Sequence, residues 1–298
     1  MTLQSRLTRI ERVLEYIHQH LDEPIHVANL AEKSCWSRWQ FQRVFGEATG
    51  LTVAQYIREL RLSKAAELLL SSKNKHLDIA ISCGFDSEIS FCRAFKHMFN
   101  CTPRDYRQRG KRYGLRTPLR YRSPQYASNE APTVFTQIRI ESVDAFQIQG
   151  KHDWIYGPFS SSPNFLQRVP QIWADLIQTK RTQTKKTHAS DAQAIGVIDT
   201  RDHPEQPDAI CYWAGYQDQN HAPEHAETIH VPRQEYAVIP VHGKVHAIEL
   251  AVRWFLHQWL PDSNYNGVSG FELEKYAADY DPNSPLSYME YWLPIEPR

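Results

Sequence analysis

Three side chains with nucleic-acid-binding chemistry share one face of a short helix predicted near residue 40. Trp39, Gln42 and Arg43 follow the spacing i, i+3 and i+4, opposite an apolar stripe that includes Phe41 and Phe45. Arginine can bond N7 and O6 of guanine, glutamine can bond N7 and N6 of adenine, and tryptophan can pack on a thymine methyl group. This face therefore indicates contact with bases in the major groove of DNA. A solvated helix face is the alternative.

The same pattern recurs 50 residues further along the chain. The identical pairs at this offset are Phe41 and Phe91, Arg43 and Arg93, Phe45 and Phe95, Thr52 and Thr102, and Tyr56 and Tyr106. In the second copy we expect Ile89, Arg93 and Lys96 to face outward. The repeat indicates duplicated units and weakens the interpretation of a merely solvated face.

Each copy has the local pattern of a helix-turn-helix unit. A short apolar helix (VANLAEK or LDIAIS) precedes a tight turn (SCW or CGF) and a second short helix. Ser37 is the predicted cap of the second helix in the first copy, and Asp86 or Ser87 in the second. An amphipathic helix from about Leu7 precedes both copies and ends before Pro24.

One long helix, TVAQYIRELRLSKAAELLLSS, is predicted between the two copies because it contains no proline or glycine. A linking helix of about 18 residues is about 27 Å long, near the ~34 Å between successive major grooves on one face of a duplex. One chain can therefore present two recognition helices to adjacent grooves. This geometry predicts binding to double-stranded DNA as a monomer.

Length and composition predict a folded protein of two domains. The 298 residues are 41% hydrophobic and 23% charged, which disfavours a disordered or fibrous chain. The five cysteines form no CxxC pair, so we expect neither a disulfide scaffold nor a cysteine zinc site. No window of 18 apolar residues occurs, and the first residues carry charges at helical intervals. We therefore expect no membrane partner, no signal peptide and a cytoplasmic, nucleoid-associated location.

The zero net charge conceals two halves of opposite charge. Residues 1–122 contain 21 Lys and Arg against 12 Asp and Glu, whereas residues 123–298 contain 13 against 22. The basic half favours a polyanionic partner, and the acidic half favours a neutral or cationic one.

The segment from Ile25 to Arg107 resembles the DNA-binding domain of the AraC/XylS family of transcription activators. LAEKSCWSRWQFQRVFGEATGLTVAQYIRELRLSKAAELL and GFDSEISFCRAFKHMFNCTPRDYR carry the resemblance. The domain order, with a larger C-terminal half, is similar to the Rob-like branch of that family. The resemblance implies an all-α double helix-turn-helix domain of the seven-helix type over residues 1–110, and an activator that works with RNA polymerase.

In that family the residues matching Trp39, Gln42, Arg43 and Arg93 contact bases. Relatives typically have two glutamines where this chain has Glu88 and Ile89. Glu88 can accept a hydrogen bond from cytosine N4 or cap its helix, and Ile89 can make only apolar contacts, so we expect a different target site. The predicted base-contacting residues are Trp39, Gln42, Arg43, Glu88, Ile89 and Arg93. The predicted phosphate-contacting residues are Ser37, Arg38, Gln40, Ser90 and Lys96.

The second half begins after a predicted linker. Residues 111–132 are rich in Pro, Ser and Arg and lack helical or strand periodicity, as interdomain segments usually do. Residues 133–298 predict an α+β domain of two similar strand-helix-strand-strand units on one antiparallel sheet. Its helices would cover one face of the sheet and leave the other face for a cleft.

Acidic and aromatic side chains meet on one predicted strand of this domain. Glu272, Glu274 and Tyr276 alternate onto one side. An acid flanked by aromatic rings can hold a large delocalised cation; the alternative is that the aromatic residues fill the core and the acids face water. The stretch LEKYAADYDPNSPLSYMEYWLPI resembles the GyrI-like effector-binding domain, which implies that Glu274 lies in the ligand cleft. The predicted effector-binding residues are Glu274, Tyr276, Trp213, Trp154, Tyr156 and Trp292.

Metal chemistry has little support in the sequence. The pairs His221/His225 and His242/His246 stand at i, i+4, but neither has an evident third ligand or an HExxH pattern. We expect no metal and no other cofactor.

Three functions stay open at this point. The first is a transcription regulator, favoured as an activator, that senses a small cationic or aromatic effector. The second is a GyrI-like hydrolase tethered to DNA, in which Glu274 and Tyr276 activate water. The third is a constitutive DNA-binding protein whose C-terminal domain binds another protein. Because fusion to a DNA-binding domain makes sensing the simpler role, we expect no catalytic residue.

Overall fold

The computed structural model describes residues 3–128, 131, 133–183, 194–201, 203, 205–206, 208–217 and 226–298. Its contacts divide the chain into two compact units. The first comprises Met1–Ser123 and Pro132–Glu141, and the second comprises Pro124–Ala131 and Ser142–Arg298. The first unit is helical and the second is built on an antiparallel sheet, as the sequence predicts.

The first unit contains the two helix-turn-helix copies. Its helices are α1 (Leu3–Gln19), α2 (Val27–Lys33), α3 (Arg38–Thr49), α4 (Val53–Ser71), α5 (His76–Ser82), α6 (Glu88–Phe99) and α7 (Pro103–Arg109). Thr52 and Thr102, identical at the 50-residue offset, cap α4 and α7 by accepting backbone N–H hydrogen bonds. Gly50 and Asn100 end α3 and α6 in the left-handed conformation. The repeat in sequence is therefore a repeat in helix boundaries.

The tight turn of each helix-turn-helix copy also needs a left-handed residue. Cys35 has a φ of 55° in the first turn and Gly84 has a φ of 76° in the second. A side chain at Gly84 would meet the guanidinium of Arg61, whose Cζ would lie 2.7 Å from a Cβ there. Glycine adopts this conformation without strain, and a side chain at Gly84 would also displace the Arg61 guanidinium, whereas the first turn accommodates Cys35.

Part of the predicted linker packs against the helices of the first unit. β1 (Leu115–Arg116) pairs with β4 (Arg139–Val143), and β2 (Arg120–Tyr121) pairs with β3 (Phe135–Thr136). The backbone N–H of Leu119 donates to the Tyr56 hydroxyl (3.0 Å), and Leu119 and Phe135 join the core of α1–α4. The boundary between the two units therefore does not coincide with the predicted linker 111–132, because part of that linker packs on the helical core. The sequence did not show this because strands of two residues are too short to have a periodicity.

The second unit is an antiparallel sheet with two helices. Its elements are β5 (Phe146–Ile155), α8 (Phe165–Gln183), β6 (Ala194–Asp199), β7 (Ile210–Tyr216), β8 (Glu227–Val231), β9 (Gln234–His242), α9 (His246–Trp254), a π-helical turn (Phe255–Trp259), β10 (Tyr265–Gly267), β11 (Phe271–Tyr276) and β12 (Tyr288–Pro297). The strand order is β9-β12-β11-β6-β7-β5-β8, with β10 on β12. Within the described residues, no helix is apolar and long enough to cross a membrane.

Strand register assigns the side chains to two faces of the sheet. Leu273 of β11 pairs with Trp292 of β12 and Val197 of β6, and these residues lie in one apolar cluster. The next residue, Glu274, pairs with Tyr291 and Gly196 and points to the opposite face. Helix α8 lies on this opposite face, which we call the acid face, since its Trp173 donates to Tyr212 there. The prediction that the helices leave the cleft face free is therefore wrong for Glu274, because α8 packs on the face to which Glu274 points.

Candidate nucleic-acid and effector sites

The outward face of α3 carries the three side chains predicted to contact bases. Trp39 is 66% exposed, and Gln42 and Arg43 are exposed, whereas Phe41 and Phe45 are completely buried. The Arg43 guanidinium carbon lies 5.4 Å from the centroid of the Trp39 ring, within cation–π range. The helix thus presents a pre-arranged arginine beside an exposed aromatic surface.

The outward face of α6 has the same construction with different chemistry. Phe91 and Phe95 are buried, while Glu88, Arg93 and the 68% exposed Ile89 face outward. The cap is Ser87, whose hydroxyl accepts from the backbone N–H of Ser90 at 3.2 Å. Glu88 is therefore not needed as the cap, and its carboxylate is available for contact.

The predicted phosphate-contacting residues divide into two groups. Ser37 and Gln40 cap α3 reciprocally, at 3.0 and 3.3 Å, and the Ser90 hydroxyl donates to the Ser87 carbonyl at 2.9 Å. Arg38 on α3 and Lys96 on α6 are exposed cations. The hydroxyl and amide groups thus already stabilise helix starts, while the two cations are available for long-range attraction to phosphates.

The sequence did not reveal the role of Arg61, which links the segment after α1 to the second helix-turn-helix copy. This α4 side chain donates to the carbonyls of Leu21 (2.8 Å), Glu23 (2.6 Å) and Gly84 (2.9 Å). The first two carbonyls follow α1, and the third lies in the second helix-turn-helix turn. Arg61 on α4 therefore ties the segment between α1 and α2 to the turn of the second helix-turn-helix copy.

The second candidate site centres on Glu274, which is buried on the acid face. Its Oε2 accepts hydrogen bonds from the hydroxyls of Tyr212 (2.7 Å) and Tyr276, whose own oxygens lie 3.1 Å apart. Trp173 of α8 donates its indole N–H to Tyr212 at 2.9 Å. Burial raises the pKa of Glu274, and the two phenols oppose that shift. The site is a carboxylate held by phenols beneath an indole.

Aromatic rings surround this carboxylate. The Trp173 ring centroid lies 5.6 Å from that of Tyr276 and 6.5 Å from that of Tyr216, in edge-to-face geometry. Tyr280 packs on Tyr276 at 4.7 Å. Burial and the nearby Glu274 raise the pKa of Tyr276 well above its usual range, so its hydroxyl stays a donor at neutral pH.

A second carboxylate shares the acid face. Glu272 stands two residues before Glu274 on β11, and its Oε2 accepts from the Tyr291 hydroxyl. Burial raises the pKa of Glu272 from 4.5 to about 7, with a smaller contribution from the Glu274 charge and opposition from the Tyr291 hydrogen bond. Two acids therefore lie on the same side of β11.

Gly196 leaves the space in which this network forms. A Cβ at this β6 position would lie 2.4 Å from the Tyr212 hydroxyl oxygen and 2.9 Å from Glu274 Oε2. Both distances are shorter than van der Waals contact, so any side chain would displace the carboxylate or the phenol.

The structure does not bring all the predicted effector residues together. Glu274 and Tyr276 lie on the acid face, but Trp213 and Trp292 belong to the apolar cluster on the opposite face, against which Trp154 packs. The remaining predicted residue, Tyr156, follows β5 and is 39% exposed. The prediction that the three tryptophans line the Glu274 site is wrong in geometry, because strand alternation directs them away from that acid.

Other residues surround the acids instead of those tryptophans, namely Tyr212, Trp173, Glu272, Tyr291 and Gly196. Glu272 was visible in the sequence through its i, i+2 spacing from Glu274, and alternation along β7 could have placed Tyr212 opposite Trp213. No signal in the sequence indicates that Trp173, on a helix, donates to Tyr212.

The histidine pairs provide no metal site in the described residues. His221 and His225 lie outside those residues. The His242 ring packs on Tyr288 at 4.9 Å. Throughout the described ranges, no group of three or more His, Cys, Asp or Glu could hold a metal ion.

Comparisons with known proteins match each half of the chain to a domain family. A helix-turn-helix domain family matches residues 30–109, and the family of integron-associated effector binding proteins matches residues 139–295, more than half of the chain. The chain is 31% identical over 188 residues to the right origin-binding protein of Escherichia coli. The alignment covers 59% of this chain and 64% of that protein. It is 42% identical over 113 residues to the transcriptional regulator Rob of Salmonella typhimurium, covering 37% of this chain and 39% of Rob.

A shorter relative is covered almost completely. The chain is 39% identical over 100 residues to the regulatory protein SoxS of Salmonella typhimurium, covering 34% of this chain and 94% of SoxS. The fold and its two sites thus define a two-domain protein, with a helix-turn-helix domain followed by an effector-binding domain. The chain belongs to the AraC-type family, in the Rob-like arrangement whose C-terminal domain is of the integron-associated effector-binding kind.

Proposed function

We propose that this protein is a sequence-specific DNA-binding transcription regulator, acting as an activator, whose C-terminal domain senses a small cationic or aromatic molecule. The observation that carries the proposal is the duplicated exposed face. Trp39 and Arg43 on α3 and Ile89 and Arg93 on α6 occupy matching positions on helices whose opposite sides are buried phenylalanines. An exposed Trp and an exposed Ile at such positions favour base contact over solvent.

The two recognition helices read one asymmetric site as a monomer. Helix α4, which joins the copies, contains 19 residues and is therefore about 28 Å long. This length approaches the ~34 Å between successive major grooves on one side of a duplex. Arg43 and Arg93 contact guanines, Gln42 contacts adenine, and Arg38 and Lys96 contact phosphates.

The effector binds at Glu274. A buried carboxylate with aromatic neighbours attracts a cation by charge and by the faces of the rings, and water competes weakly there. The effector changes transcription through its differential affinity for two states of the protein. An activator also requires a surface for RNA polymerase, and the proposed role places the protein in the cytoplasm on the nucleoid.

Two architectural features belong to the same proposal. Seven helices make up the N-terminal domain, as the Rob-like resemblance implies. The C-terminal domain arose from a duplicated strand-helix-strand-strand unit. In support, β5-α8-β6-β7 and β9-α9-β11-β12 follow the same order, with β10 as an addition to the second.

Selection of random duplex DNA on the purified protein tests the DNA-binding half. We expect an enriched site of two blocks about one helical turn apart. Arg93→Ala should relax preference within one block and weaken binding of the enriched site by about 5- to 150-fold. Lys96→Ala removes one charge from the same helix and should weaken all sequences alike, with a smaller salt dependence. If Arg43→Ala and Arg93→Ala both left the base preference of the two blocks unchanged, the assignment of these arginines to base contacts would be refuted.

Calorimetric titration with tetraphenylphosphonium, a large delocalised cation, tests the sensing half. We expect binding that Glu274→Gln abolishes and Glu290→Gln preserves. Glu290 is a suitable control because it pairs with Lys275 on β11 and therefore lies on the face away from Glu274. Equal binding by both variants would place the cation elsewhere.

A further inference from the structure

The two acids on the acid face have no basic partner. Glu274 is buried and Glu272 is partly buried, and throughout the described residues no Lys, Arg or His forms an ion pair with either. A buried carboxylate without a counter-charge is costly, so Glu274 must take up a proton or find a cation from outside, and the same cost applies in smaller measure to the partly buried Glu272. The acid face thus carries two carboxyl groups that no basic side chain of the described residues neutralises.

The phenols leave the same part of each carboxylate available. Tyr212 and Tyr276 both donate to Oε2 of Glu274, and Tyr291 donates to Oε2 of Glu272. Within the described part of the chain, no group donates a hydrogen bond to Oε1 of either acid. The hydroxyls therefore orient both carboxylates while one oxygen of each can accept from a ligand.

The spacing of the acids limits the ligand. Alternate residues of a strand are about 7 Å apart and point to the same face. Trp173, Tyr216 and Tyr276 supply ring surface beside Glu274. Independently of the acids, the match of residues 139–295 to effector binding proteins indicates that this domain has a ligand.

We propose that the effector site takes a compact dication, with two ammonium or amidinium groups about 7 Å apart, one bound by Glu274 and the other by Glu272. This inference rests on the proposed sensing function and specifies its ligand class. The aromatic rings hold the frame that joins the two charges. A ligand with a single charge leaves Glu272 without a counter-charge and binds more weakly.

Proton release should accompany binding. The pKa of Glu272 is raised to about 7, so about half of the apo protein carries a proton there at pH 7. The groups that face the pair are Tyr291 toward Glu272, and Tyr212, Tyr276 and Tyr280 toward Glu274. Burial raises the pKa of all four phenols, so they stay neutral and the two carboxyls are the groups that titrate.

The test compares two probes of nearly equal shape in the full-length protein. 1,3-Bis(aminomethyl)benzene carries two ammonium groups, and 3-methylbenzylamine carries one on the same ring. Titration calorimetry at pH 6, 7 and 8, in phosphate and in Tris, gives both the affinity and the number of protons released. We expect the diamine to bind at least tenfold tighter at pH 8, with affinity that rises with pH and release of about half a proton or more at pH 7.

Two variants separate the inference from the function on which it rests. Glu272→Gln keeps an acceptor for Tyr291 and should reduce diamine affinity to that of the monoamine, while leaving the monoamine unaffected. Glu274→Gln should weaken both probes, and Glu290→Gln on the opposite face should weaken neither. Equal affinities for both probes in the wild type, abolished by Glu274→Gln, would overturn the dication and keep the cation-sensing site. Binding of neither probe nor of tetraphenylphosphonium would overturn both.

Discussion

Replacing Glu272 with glutamine should change how the stability of the C-terminal domain depends on pH. Burial raises the pKa of Glu272 from 4.5 to about 7. The folded state therefore holds the proton more tightly than the unfolded state, so this group's contribution to stability is complete below pH 4.5 and is lost as pH rises through 7. A difference of this size corresponds to about 3 kcal/mol, or about 6–12 °C in the melting temperature of a domain of this length. Glutamine keeps an acceptor for Tyr291 but has no proton to lose, so it removes this dependence.

Urea unfolding at pH 5, 6, 7 and 8, followed by tryptophan fluorescence, measures the effect. Six of the eight tryptophans lie in the C-terminal unit, so the signal reports chiefly on that unit. The wild type should lose stability relative to Glu272→Gln as pH rises from 5 to 8. Glu290→Gln, the control on the opposite face, should follow the wild type. Parallel curves for wild type and Glu272→Gln would show that Glu272 is ionised in the folded protein at pH 5, which would refute the reasoning.

Three further perturbations have defined outcomes. Gly196→Ala places a methyl group against Tyr212, so it should destabilise the C-terminal domain by about 1–3 kcal/mol and abolish tetraphenylphosphonium binding. Gly267→Ala, whose methyl group meets only the Leu260 side chain, should preserve that binding. Unchanged binding in both variants would contradict the packing argument. Arg61→Met removes three hydrogen bonds to carbonyls and should cost about 2 kcal/mol or more in unfolding experiments, with a larger loss of affinity for the two-block DNA site than for either block. Burial lowers the pKa of His18 to about 4, so the N-terminal domain should lose stability as pH falls from 6.5 to 4, and acid unfolding of His18→Gln should be shifted to lower pH; an identical acid midpoint would contradict this.

Local patterns in the sequence were sufficient to predict the helices of the N-terminal domain and their exposed faces. The 50-residue repeat, the predicted caps at Ser37 and at Asp86 or Ser87, and the stripes of buried Phe predict helices whose exposed faces the structure places as expected, with Ser87 as the second cap. Helical periodicity and capping act within a few residues, so one copy carries the information that its helices need. The connection through Arg61 was not predictable, because its three carbonyl partners lie 23–40 residues away.

The packing of residues 111–141 could not be predicted from the sequence either. Leu119 and Phe135 belong to the core of the helical unit, although their surroundings have the composition of a linker. Two-residue strands have too few positions to show a period, and their place depends on partners such as Tyr56.

By itself, the sequence determined the two-domain order, the exposed faces of α3 and α6 and the alternation that joins Glu272, Glu274 and Tyr276 on one side of β11. Only the tertiary structure decided which aromatic residues accompany those acids. Trp213 was expected there, but Tyr212, its neighbour in the chain, donates to Glu274 instead. The physical reason is that a strand directs successive side chains to opposite faces, and long-range register with β6, β7 and α8 decides which partners each face meets. Strand alternation is encoded locally, whereas the pairing of Glu274 with a tyrosine 62 residues away exists only in the folded sheet.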